Sequence, residues 1–362
     1  MSDKRIHLIV LFGGESAEHD VSCTTAAHVL RAADPDRYRI TPIGISKTGQ
    51  WALASESASA LLSNPESVTD RLDPDGTSLD ASPLLTEAAN KDGQAVVLPL
   101  LHGPMGEDGT VQGLLELANI AYVGSGVLGS AVAMDKALAK QVLTAVGIPQ
   151  ARYRAFAEHQ YTSTLDADIA ADLGLPVFVK PANMGSSVGV SKAHTLEELH
   201  SAIEYALTYD EMIIVEEAIE GREIEVGVMG NNEPDASVPG EIIPGEEFYS
   251  YEDKYLTDAA DLLIPAPLND SEASDVRRLA IDTFNALRCE GLARVDFFYE
   301  MDTAGNGRGF MCNEVNTMPG FTPISMYPKL WIESGVPYPE LIDRLVDLAI
   351  ERHARRRRNT KH

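Results

Sequence analysis

The strongest constraint on the fold is a pair of continuous apolar runs, Leu8–Phe12 and Ala95–Leu101, each of which leads into a polar loop and then a helix pattern. Apolar runs without polar alternation are typical of strands buried on both faces, as in a parallel sheet covered by helices. Further strands are predicted at Arg39–Ile45 and Ala121–Gly124. We therefore expect a parallel α/β block that is interrupted at 53–93 by an Ala-, Ser-, Asp- and Pro-rich insertion with some helix.

Composition limits the class of protein. The chain has 362 residues, which allows two or three domains, and a formal charge of −26, which disfavours a general nucleic-acid binder. No apolar run reaches the roughly 18 residues of a membrane span, and the start lacks a signal-peptide pattern. Three cysteines without metal-ligand spacing favour a reducing, cytoplasmic location. The basic tail from Arg352, with four arginines at 355–358, is expected to be a frayed, solvated terminus.

Two further blocks follow the parallel one. A long helix is predicted at Ala131–Val146, where Gly147 can end it. Beyond it, short strand patterns mix with helix patterns, which indicates α+β blocks with antiparallel strands. We expect three domains and a basic tail: 1–125, 126–220, 221–350 with a long loop at 244–262, and 351–362.

A hairpin predicted near 291–316 gathers polar side chains on one face. If the pairing is symmetric about its turn, Asp296 faces Glu314 and Arg294 faces Asn316. Two carboxylates, an amide and an arginine then converge, without His or Cys. This oxygen set suits a hard cation such as Mg²⁺ or Mn²⁺, and it equally fits an ion-pair cluster on an exposed sheet face.

A second group of segments has the chemistry of a nucleotide site. The loop Gly185–Gly189 follows a strand that ends at Lys180, and its small residues let backbone N–H groups approach a phosphate. The same pattern fits a plain hairpin turn. Lys136 is either a second phosphate partner or a solvated lysine, and the acidic stretch 216–223 fits either a nucleoside contact or a charged loop.

Three loops are candidates for binding a substrate. Gly13–Ser22 enters a helix N-terminus, which suits a carboxylate, and the loop that begins at His102 leaves the carboxyl end of a predicted strand. His102 alone is typical of a hydrogen-bonded structural residue. The mixed aromatic and charged loop at 244–262 fits either a lid over substrate or a packed Ω-loop.

Eight segments, in order along nearly the whole chain, resemble the D-alanine–D-alanine ligases of the ATP-grasp superfamily. Each is weak alone, but their joint occurrence in this order is highly specific. They are GGESAEHDVS (13–22), HGPMGEDGTVQG (102–113), MDK (134–136), VKPANMGSSVGVSK (179–192), EEAIEGREIEVGV (216–228), YEDKY (251–255), RVDF (294–297) and NEVNTMPGFTPISMYP (313–328).

The resemblance implies an α/β, three-domain ATP-grasp architecture, with an N-terminal parallel-sheet (preATP-grasp) domain and two α+β ATP-grasp subdomains. It implies ATP-dependent ligation of two D-alanines through a D-alanyl phosphate, with release of ADP and phosphate, for peptidoglycan precursor synthesis. Two Mg²⁺ ions, or Mn²⁺, would be held by Asp296, Glu314 and Asn316. Activation by K⁺ stays open. The implied partners are D-alanine, ATP and a second copy of the chain, with no nucleic acid and no membrane insertion.

The resemblance also implies roles for nucleotide-binding residues. Lys136 and Lys180 would neutralise phosphate charge, Lys254 would reach the transferring phosphoryl group, and the loop containing Ser187 would cover the phosphates. The remaining contacts would be Glu216 with the adenine amino group, the backbone of Ala218 and Ile219 with the ring edge, Glu223 with the ribose and Phe248 with the adenine face.

For the amino-acid substrates, the implied oxyanion donors are Arg294 and the backbone N–H of Gly320. The other implied roles are Glu18 for the ammonium of the first D-alanine, Glu18 with Ser186 and Tyr255 as a trio that links the three domains, His102 near the first substrate, and Ser325 with the Met326 backbone for the carboxylate of the second.

Alternative activities share much of this site. A D-alanine–D-lactate or D-alanine–D-serine ligase would differ at the acceptor, and Tyr255 favours the dipeptide over the ester. Another ATP-grasp carboxylate–amine ligase would share the metal and nucleotide residues but need not share Glu18, Tyr255 or Ser325. A non-catalytic nucleotide-binding protein is disfavoured, because Arg294 and Asp296 are both present.

Overall fold

A six-stranded sheet forms the first block of the computed structural model, which describes residues 5–63, 71–90, 94–243, 261–301 and 306–356. Its strands are β1 (Ile6–Gly13), β2 (Tyr38–Ile45), β3 (Trp51–Leu53), β4 (Thr77–Ser78), β5 (Ala95–Leu100) and β6 (Ala121–Tyr122). In the order β4-β3-β2-β1-β5-β6, the strands β2, β1, β5 and β6 run parallel, and β3 and β4 are added antiparallel. The predicted parallel sheet is confirmed.

Four helices belong to the described part of this first block. They are α1 (His19–Ala32), α2 (Ser55–Ser63), α3 (Ala81–Asn90) and α4 (Thr110–Leu117). Side chains on alternate positions of β1 enter two separate cores: Leu8 and Val10 pack with α1 and α2, whereas Ile9 and Leu11 pack with α3 and α4. This burial on both faces is the physical reason for the continuous apolar run of β1. The described part of 53–93 is thus built into the first block.

The second block is a four-stranded antiparallel sheet in the order β7-β10-β8-β9. Its elements are α5 (Val127–Met134), α6 (Lys136–Val146), β7 (Tyr153–Ala157), a 3₁₀ turn (Glu158–Gln160), α7 (Thr164–Leu173), β8 (Val177–Pro181), β9 (Ser191–Ala193), α8 (Leu196–Leu207) and β10 (Met212–Glu217). α7 and α8 share one core with this sheet. The sequence pattern missed β7 and α7.

The long helix predicted at Ala131–Val146 is wrong, because the chain forms two helices that meet at Asp135. Asp135 has extended backbone (φ −77°, ψ 98°), and its carboxylate accepts a hydrogen bond from the N–H of Leu138 at 2.8 Å as an N-cap. The N–H of Lys136 donates instead to the carbonyl of Ala182, at 3.1 Å, in a different segment. A tertiary contact therefore breaks a run of good helix formers.

The third block is a five-stranded antiparallel sheet in the order β13-β12-β11-β14-β15. Its elements are β11 (Arg222–Gly230), β12 (Asp235–Ile243), β13 (Asp261–Leu263), α9 (Asp270–Ala286), β14 (Gly291–Glu300), β15 (Gly309–Asn316), α10 (Met326–Glu333) and α11 (Tyr338–Arg356). The sequence pattern missed β12, and the last two residues of the long loop expected at 244–262 belong to β13. Among the described residues, no helix has the length and apolar character to cross a membrane.

The last helix, α11, packs on the first block rather than ending in solvent. Leu341, Leu345 and Val346 share a core with Leu8 and Val10 of β1. α11 therefore covers part of one face of the sheet that contains β1.

The expectation of a frayed basic terminus is wrong for residues 352–356. Arg352 is 2 % exposed, and its guanidinium donates to the carbonyls of Gly124, at 2.7 Å, and Tyr122, at 2.8 Å. Arg356, the last residue of α11, pairs with Glu290 at 2.6 Å. Each of these two arginines therefore has a partner outside the helix: Arg352 in the first block and Arg356 in the segment just before β14.

Candidate functional site

The β14–β15 hairpin has the register predicted for its polar residues. Arg294 lies opposite Asn316, and Asp296 lies opposite Glu314. The Arg294 guanidinium donates two parallel hydrogen bonds of 2.7 Å to the Asp296 carboxylate, and Asn316 Nδ2 donates to Asp296 Oδ2 at 3.0 Å. A bulge after Asp296 shifts Phe297 to Cys312, so the symmetric register ends there.

Glu225, on the neighbouring strand β11, joins this cluster, although the sequence reasoning did not single it out. It lies opposite Asp296 and is buried, and its Oε2 is 3.0 Å from Arg294 Nε. Burial disfavours a charged guanidinium, but Asp296 and Glu225 outweigh that effect and hold the pKa of Arg294 well above its ordinary value. The period of two along β11 was the available signal, since it puts Glu225 on the same face as Glu223.

The donor chemistry of this cluster fits a hard cation. Asp296, Glu314 and Asn316 can each offer an oxygen ligand, and Arg294 pairs with two of the carboxylates here, Asp296 and Glu225. Each carboxylate has about four lone-pair sites, so the bidentate arginine on Asp296 leaves it further capacity. Within the described residues, no group of three or more His, Cys, Asp or Glu could hold a metal ion by itself. The amide of Asn316 would complete the set.

Glu216 lies buried between two lysines. Its carboxylate oxygens are 2.7 Å from Lys140 Nζ and 2.6 Å from Lys180 Nζ. Burial alone would raise the pKa of Glu216, but the two cations lower it to about 2. Lys180 also approaches Asn313 Oδ1 at 3.4 Å, and Glu216 holds the pKa of Lys180 above its ordinary value against the effect of burial. Both oxygens of Glu216 are therefore already engaged, and Lys140 is a charged partner that the sequence reasoning missed.

Lys136 points toward the hairpin because the helical conformation is interrupted at Asp135. Its Nζ donates to the carbonyl of Met184 at 2.6 Å and lies 4.0 Å from Glu314 Oε2. One lysine thus contacts the Gly- and Ser-rich loop on one side and the hairpin on the other.

The Gly- and Ser-rich loop has an unusual backbone. Ser186 and Ser187 have φ of +51° and +59°, the left-handed region that L-residues rarely adopt. A methyl group at Gly185 would lie 3.6 Å from Glu18 Oε2. Glu18, at the start of α1, is therefore adjacent to this loop. The trio of Glu18, Ser186 and Tyr255 stays a prediction.

The loop after β5 grips the segment that follows β15. His102 Nδ1 makes a 2.9 Å hydrogen bond with the carbonyl of Met318, and the Glu107 carboxylate accepts from the Met318 N–H at 3.3 Å and from the Gly103 N–H at 2.7 Å. Burial, together with the nearby negative charge of Glu18, raises the pKa of Glu107 to about 8. The sequence reasoning did not select Glu107. Its loop is rich in Gly and also contains Asp108, so nothing in the sequence distinguishes Glu107 from an ordinary acidic loop residue.

Gly320 and Ser325 lie side by side in the segment before α10. A methyl group at Gly320 would be 3.1 Å from Ser325 Oγ. That oxygen is 2.8 Å from Thr322 Oγ1, and Met326 follows it as a buried residue.

Two cavities of about 660 Å³ and 840 Å³ collect these residues. The smaller is lined by Glu18, His102, Glu107, Gly320, Ser325, Met326 and Asn316. The larger lies between the second and third sheets and is lined by Lys180, Ser187, Glu216, Ala218, Ile219, Glu223 and Asp296. Four predicted site residues line both: Lys136, Ser186, Arg294 and Glu314. Phe248, Lys254 and Tyr255 lie outside the described residues.

A parallel-sheet block beside two antiparallel blocks that enclose a cleft is the three-domain ATP-grasp architecture. Comparison with known families agrees: the family model described as D-ala D-ala ligase N-terminus matches residues 7–125, and the one described as D-ala D-ala ligase C-terminus matches residues 142–347. The chain belongs to the D-alanine–D-alanine ligase family.

The similarity to known proteins extends over nearly the whole chain. A D-alanine–D-alanine ligase of Geobacillus kaustophilus is 48 % identical over 95 % of this chain and 94 % of its own length. One from Acetivibrio thermocellus is 45 % identical over 98 % of each chain. Among solved structures, the D-alanine–D-alanine ligase from Coxiella burnetii has a TM-score of 0.80 at 34 % identity, covering 97 % of this chain and 96 % of that one. The VanG D-Ala:D-Ser ligase from Enterococcus faecalis has a TM-score of 0.81 at 32 % identity, covering 96 % and 100 %.

Proposed function

We propose that this chain uses ATP to join two D-alanines into D-alanyl-D-alanine, with release of ADP and phosphate, for peptidoglycan precursors. The observation that carries the proposal is the wall shared by the two cavities, where Arg294 and Glu314 line both. A nucleotide in the larger cavity and amino acids in the smaller one would meet at this wall. The printed name of the relatives that are 48 % and 45 % identical supports the choice of substrate.

The first step is phosphoryl transfer. A carboxylate oxygen of the first D-alanine attacks the terminal phosphorus of ATP, and ADP leaves. Catalysis of such a step is mostly positioning and charge neutralisation. Lys136 and Lys180 are the cations proposed for the phosphates, and Glu216 keeps Lys180 protonated by holding its pKa above the ordinary value. The loop with Ser186 and Ser187 would cover the phosphates with backbone N–H groups.

Mg²⁺ or Mn²⁺, two ions per site, would be held by Asp296, Glu314 and Asn316, and would supply positive charge against the phosphate oxygens. Arg294 contributes independently of any ion, because its two hydrogen bonds fix the orientation of the Asp296 carboxylate.

The second step forms the peptide bond. The amine of the second D-alanine attacks the acyl carbon of D-alanyl phosphate, and phosphate leaves from the tetrahedral intermediate. Arg294 and the N–H of Gly320 are the proposed donors to its oxyanion. The grip of His102 and Glu107 on Met318, two residues before Gly320, supports this assignment because it restrains the segment that carries the donor.

Substrate binding is proposed for both ends of the smaller cavity. Glu18 would pair with the ammonium of the first D-alanine, and His102 would lie near it. Ser325 and the Met326 backbone would hold the carboxylate of the second D-alanine. For adenine, Glu216 is assigned the amino group, although its oxygens already contact two lysines, and Glu223 is assigned the ribose.

The backbone at the adenine edge has one donor fewer than expected. The Ala218 N–H donates to the carbonyl of Pro176 at 3.2 Å. We therefore assign the Ala218 carbonyl and the Ile219 backbone, rather than the Ala218 N–H, to the ring edge.

A second candidate function is D-alanine–D-serine ligation. It is favoured by the similarity to the Enterococcus faecalis D-Ala:D-Ser ligase, at a TM-score of 0.81. The two activities share the first step and differ in the acceptor near Ser325 and Met326, so product analysis separates them.

Assembly and location are proposals as well. We propose a homodimer in the cytoplasm, and the location is supported by three buried cysteines that form no disulfide. We also propose domain boundaries at 125/126 and 220/221, since β1 to β6 lie before the first boundary and β11 to β15 lie after the second.

The test is ADP release with ATP and Mg²⁺ against a panel of substrates, with products identified by mass. The panel holds D-alanine alone, L-alanine alone, and limiting D-alanine with D-serine or D-lactate. We expect D-alanine alone to give ADP and the dipeptide, and L-alanine to give neither. A mixed product at limiting D-alanine would favour the second candidate. Folded protein that binds ATP without D-alanine-dependent ADP release would contradict both.

A further inference from the structure

Arg308 connects the second and third blocks at the rim of the larger cavity. It directly precedes β15, and its Nη1 lies 2.5 Å from Oε1 of Glu217, the last residue of β10. Its Nε bonds Glu300, the last residue of β14. The Arg308 guanidinium therefore joins the start of β15 to the end of β14 within the hairpin, and it joins the hairpin to β10 of the neighbouring sheet.

The carboxylate that Arg308 meets is rigidly held. Arg152 donates to both Glu217 oxygens, from its backbone N–H and from its Nε, at 2.9 Å each. The same arginine donates to the carbonyls of Asp172 and Leu173, at 2.8 Å and 3.0 Å, so it is itself anchored to the end of α7. Glu217 is buried, which would raise its pKa, but its hydrogen bonds with Arg152 and Arg308 lower it. Glu217 thus offers Arg308 a fixed, ionised acceptor.

Successive residues at the end of β10 face opposite sides. Glu216 turns inward to Lys140 and Lys180, whereas Glu217 turns to the rim. The segment 216–219 therefore has one charged anchor on each side, and both Glu217 and Arg308 line the larger cavity next to Ala218 and Ile219.

We propose that Arg308 is a positioning residue for the nucleotide base: its bridge to Glu217 sets the spacing between the segment 216–219 and the β14–β15 hairpin. The proposal rests on the proposed use of ATP. Arg308 acts through Glu217 and does not contact the reacting atoms.

Through β15, the bridge also fixes the position of the base end of the site relative to its phosphate end. β15 runs from Gly309 to Asn316, a length of roughly 23 Å at the usual rise per residue. Arg308 fixes one end of this strand, and Glu314 and Asn316 occupy the other. Loss of the bridge would therefore loosen the base end while leaving the reacting end held by Lys136 and Arg294.

The experiment measures ADP binding by titration calorimetry in Mg²⁺, with ATP and GTP compared as substrates, for Arg308→Ala and Arg308→Lys. The control is Arg154→Ala, which removes an arginine of similar exposure that pairs with Asp172 and lines neither cavity. We expect Arg308→Ala to raise the Kd for ADP and the KM for ATP roughly three- to tenfold. The KM for the amino acid and kcat should change less than twofold, and the preference for ATP over GTP should fall. Arg308→Lys keeps the charge without the fork, so its effect should be intermediate.

Unchanged nucleotide affinity and unchanged ATP preference in Arg308→Ala would overturn the proposal. So would a parallel loss in kcat and in both KM values, or the same loss in Arg154→Ala, because each indicates a general effect on stability. The calorimetric arm does not depend on the amino-acid substrate. If the wild-type protein binds ADP but does not turn over D-alanine, the proposed function fails while the role of Arg308 is still decided.

Discussion

Replacement of Lys140 by methionine tests the buried charge cluster of Lys140, Glu216 and Lys180. The methionine keeps the apolar stem but removes one of the two cations on Glu216, and Lys180 stays in place at 2.6 Å. The folded protein lowers the pKa of Glu216 from 4.5 to about 2, which corresponds to about 3 kcal/mol in favour of the ionised form. Because one lysine supplies part of that attraction and the burial cost stays, Lys140→Met should cost about 2–3 kcal/mol at pH 7.

The pH dependence gives this prediction a second, independent readout. A carboxyl group whose pKa is depressed by folding adds stability above its ordinary pKa, and that stability is lost as the pH falls toward the folded value. In the wild-type protein, the loss due to Glu216 therefore extends from 4.5 down to about 2. In Lys140→Met the folded pKa of Glu216 rises, so the loss is complete at a higher pH.

The assay is urea unfolding followed by circular dichroism between pH 7 and pH 3. Arg344→Met is the matched control, because Arg344 pairs with Glu340 at 2.7 Å on the surface of α11, where each side chain is about half exposed. Its cost should stay below about 0.5 kcal/mol. A loss in Lys140→Met no larger than in this control, together with an unchanged acid limb, would refute the reasoning.

Three further predictions concern other buried charges. Arg352→Met leaves the buried carbonyls of Tyr122 and Gly124 without their donors, so urea unfolding should show a loss of about 2–4 kcal/mol; a loss below about 1 kcal/mol would contradict the packing of α11. Folding raises the pKa of Glu107 to about 8 and so favours its protonated form, so the wild-type protein should lose about 2–5 kcal/mol of stability as the pH rises from 5 to 8. Glu107→Gln should remove this decline. Parallel pH–stability curves for the two proteins would argue against this. Arg294→Lys should lower kcat on the order of 10²–10³ and change the Kd for ADP less than about threefold, since the oxyanion donor is lost while a cation remains; near-normal turnover would exclude the oxyanion role.

Arg294→Lys is preferred to alanine for a structural reason. Arg294 lies partly buried between Asp296 and Glu225, and its removal would take their shared cation from two carboxylates, at a cost of about 3–5 kcal/mol. An inactive alanine variant would then not distinguish lost catalysis from lost stability.

Simple periodicity was sufficient to predict the hairpin that carries the central charges. Alternation with a period of two, symmetric about the turn, puts Asp296 opposite Glu314 and Arg294 opposite Asn316, as the structure has them. The bulge after Asp296 was not predictable, because one extra residue in a strand leaves no mark in composition or alternation. The buried strands of the first block were predictable for the same kind of reason, since burial on both faces requires an unbroken apolar run.

Features that depend on distant partners escaped prediction. Lys140 lies in a helix of good helix formers and has the pattern of a solvated lysine, and only its contact with Glu216 on β10 makes it a buried ion. The break at Asp135 depends on the carbonyl of Ala182, far along the chain. Arg352 was expected in a solvated tail, and its burial follows from two carbonyls more than 200 residues earlier.

The position of α11 has a consequence for how the protein is made. Val10 and Phe12 belong to the first strand, and they share a core with Leu345 and Val346, near the end of the chain. At a synthesis rate of roughly 5–20 residues per second, more than ten seconds pass between the appearance of β1 and that of α11 on the ribosome. During that interval the core that β1 shares with α1 and α2 lacks the apolar side chains of α11. The newly made chain must therefore keep an apolar surface from aggregating until its last helix arrives.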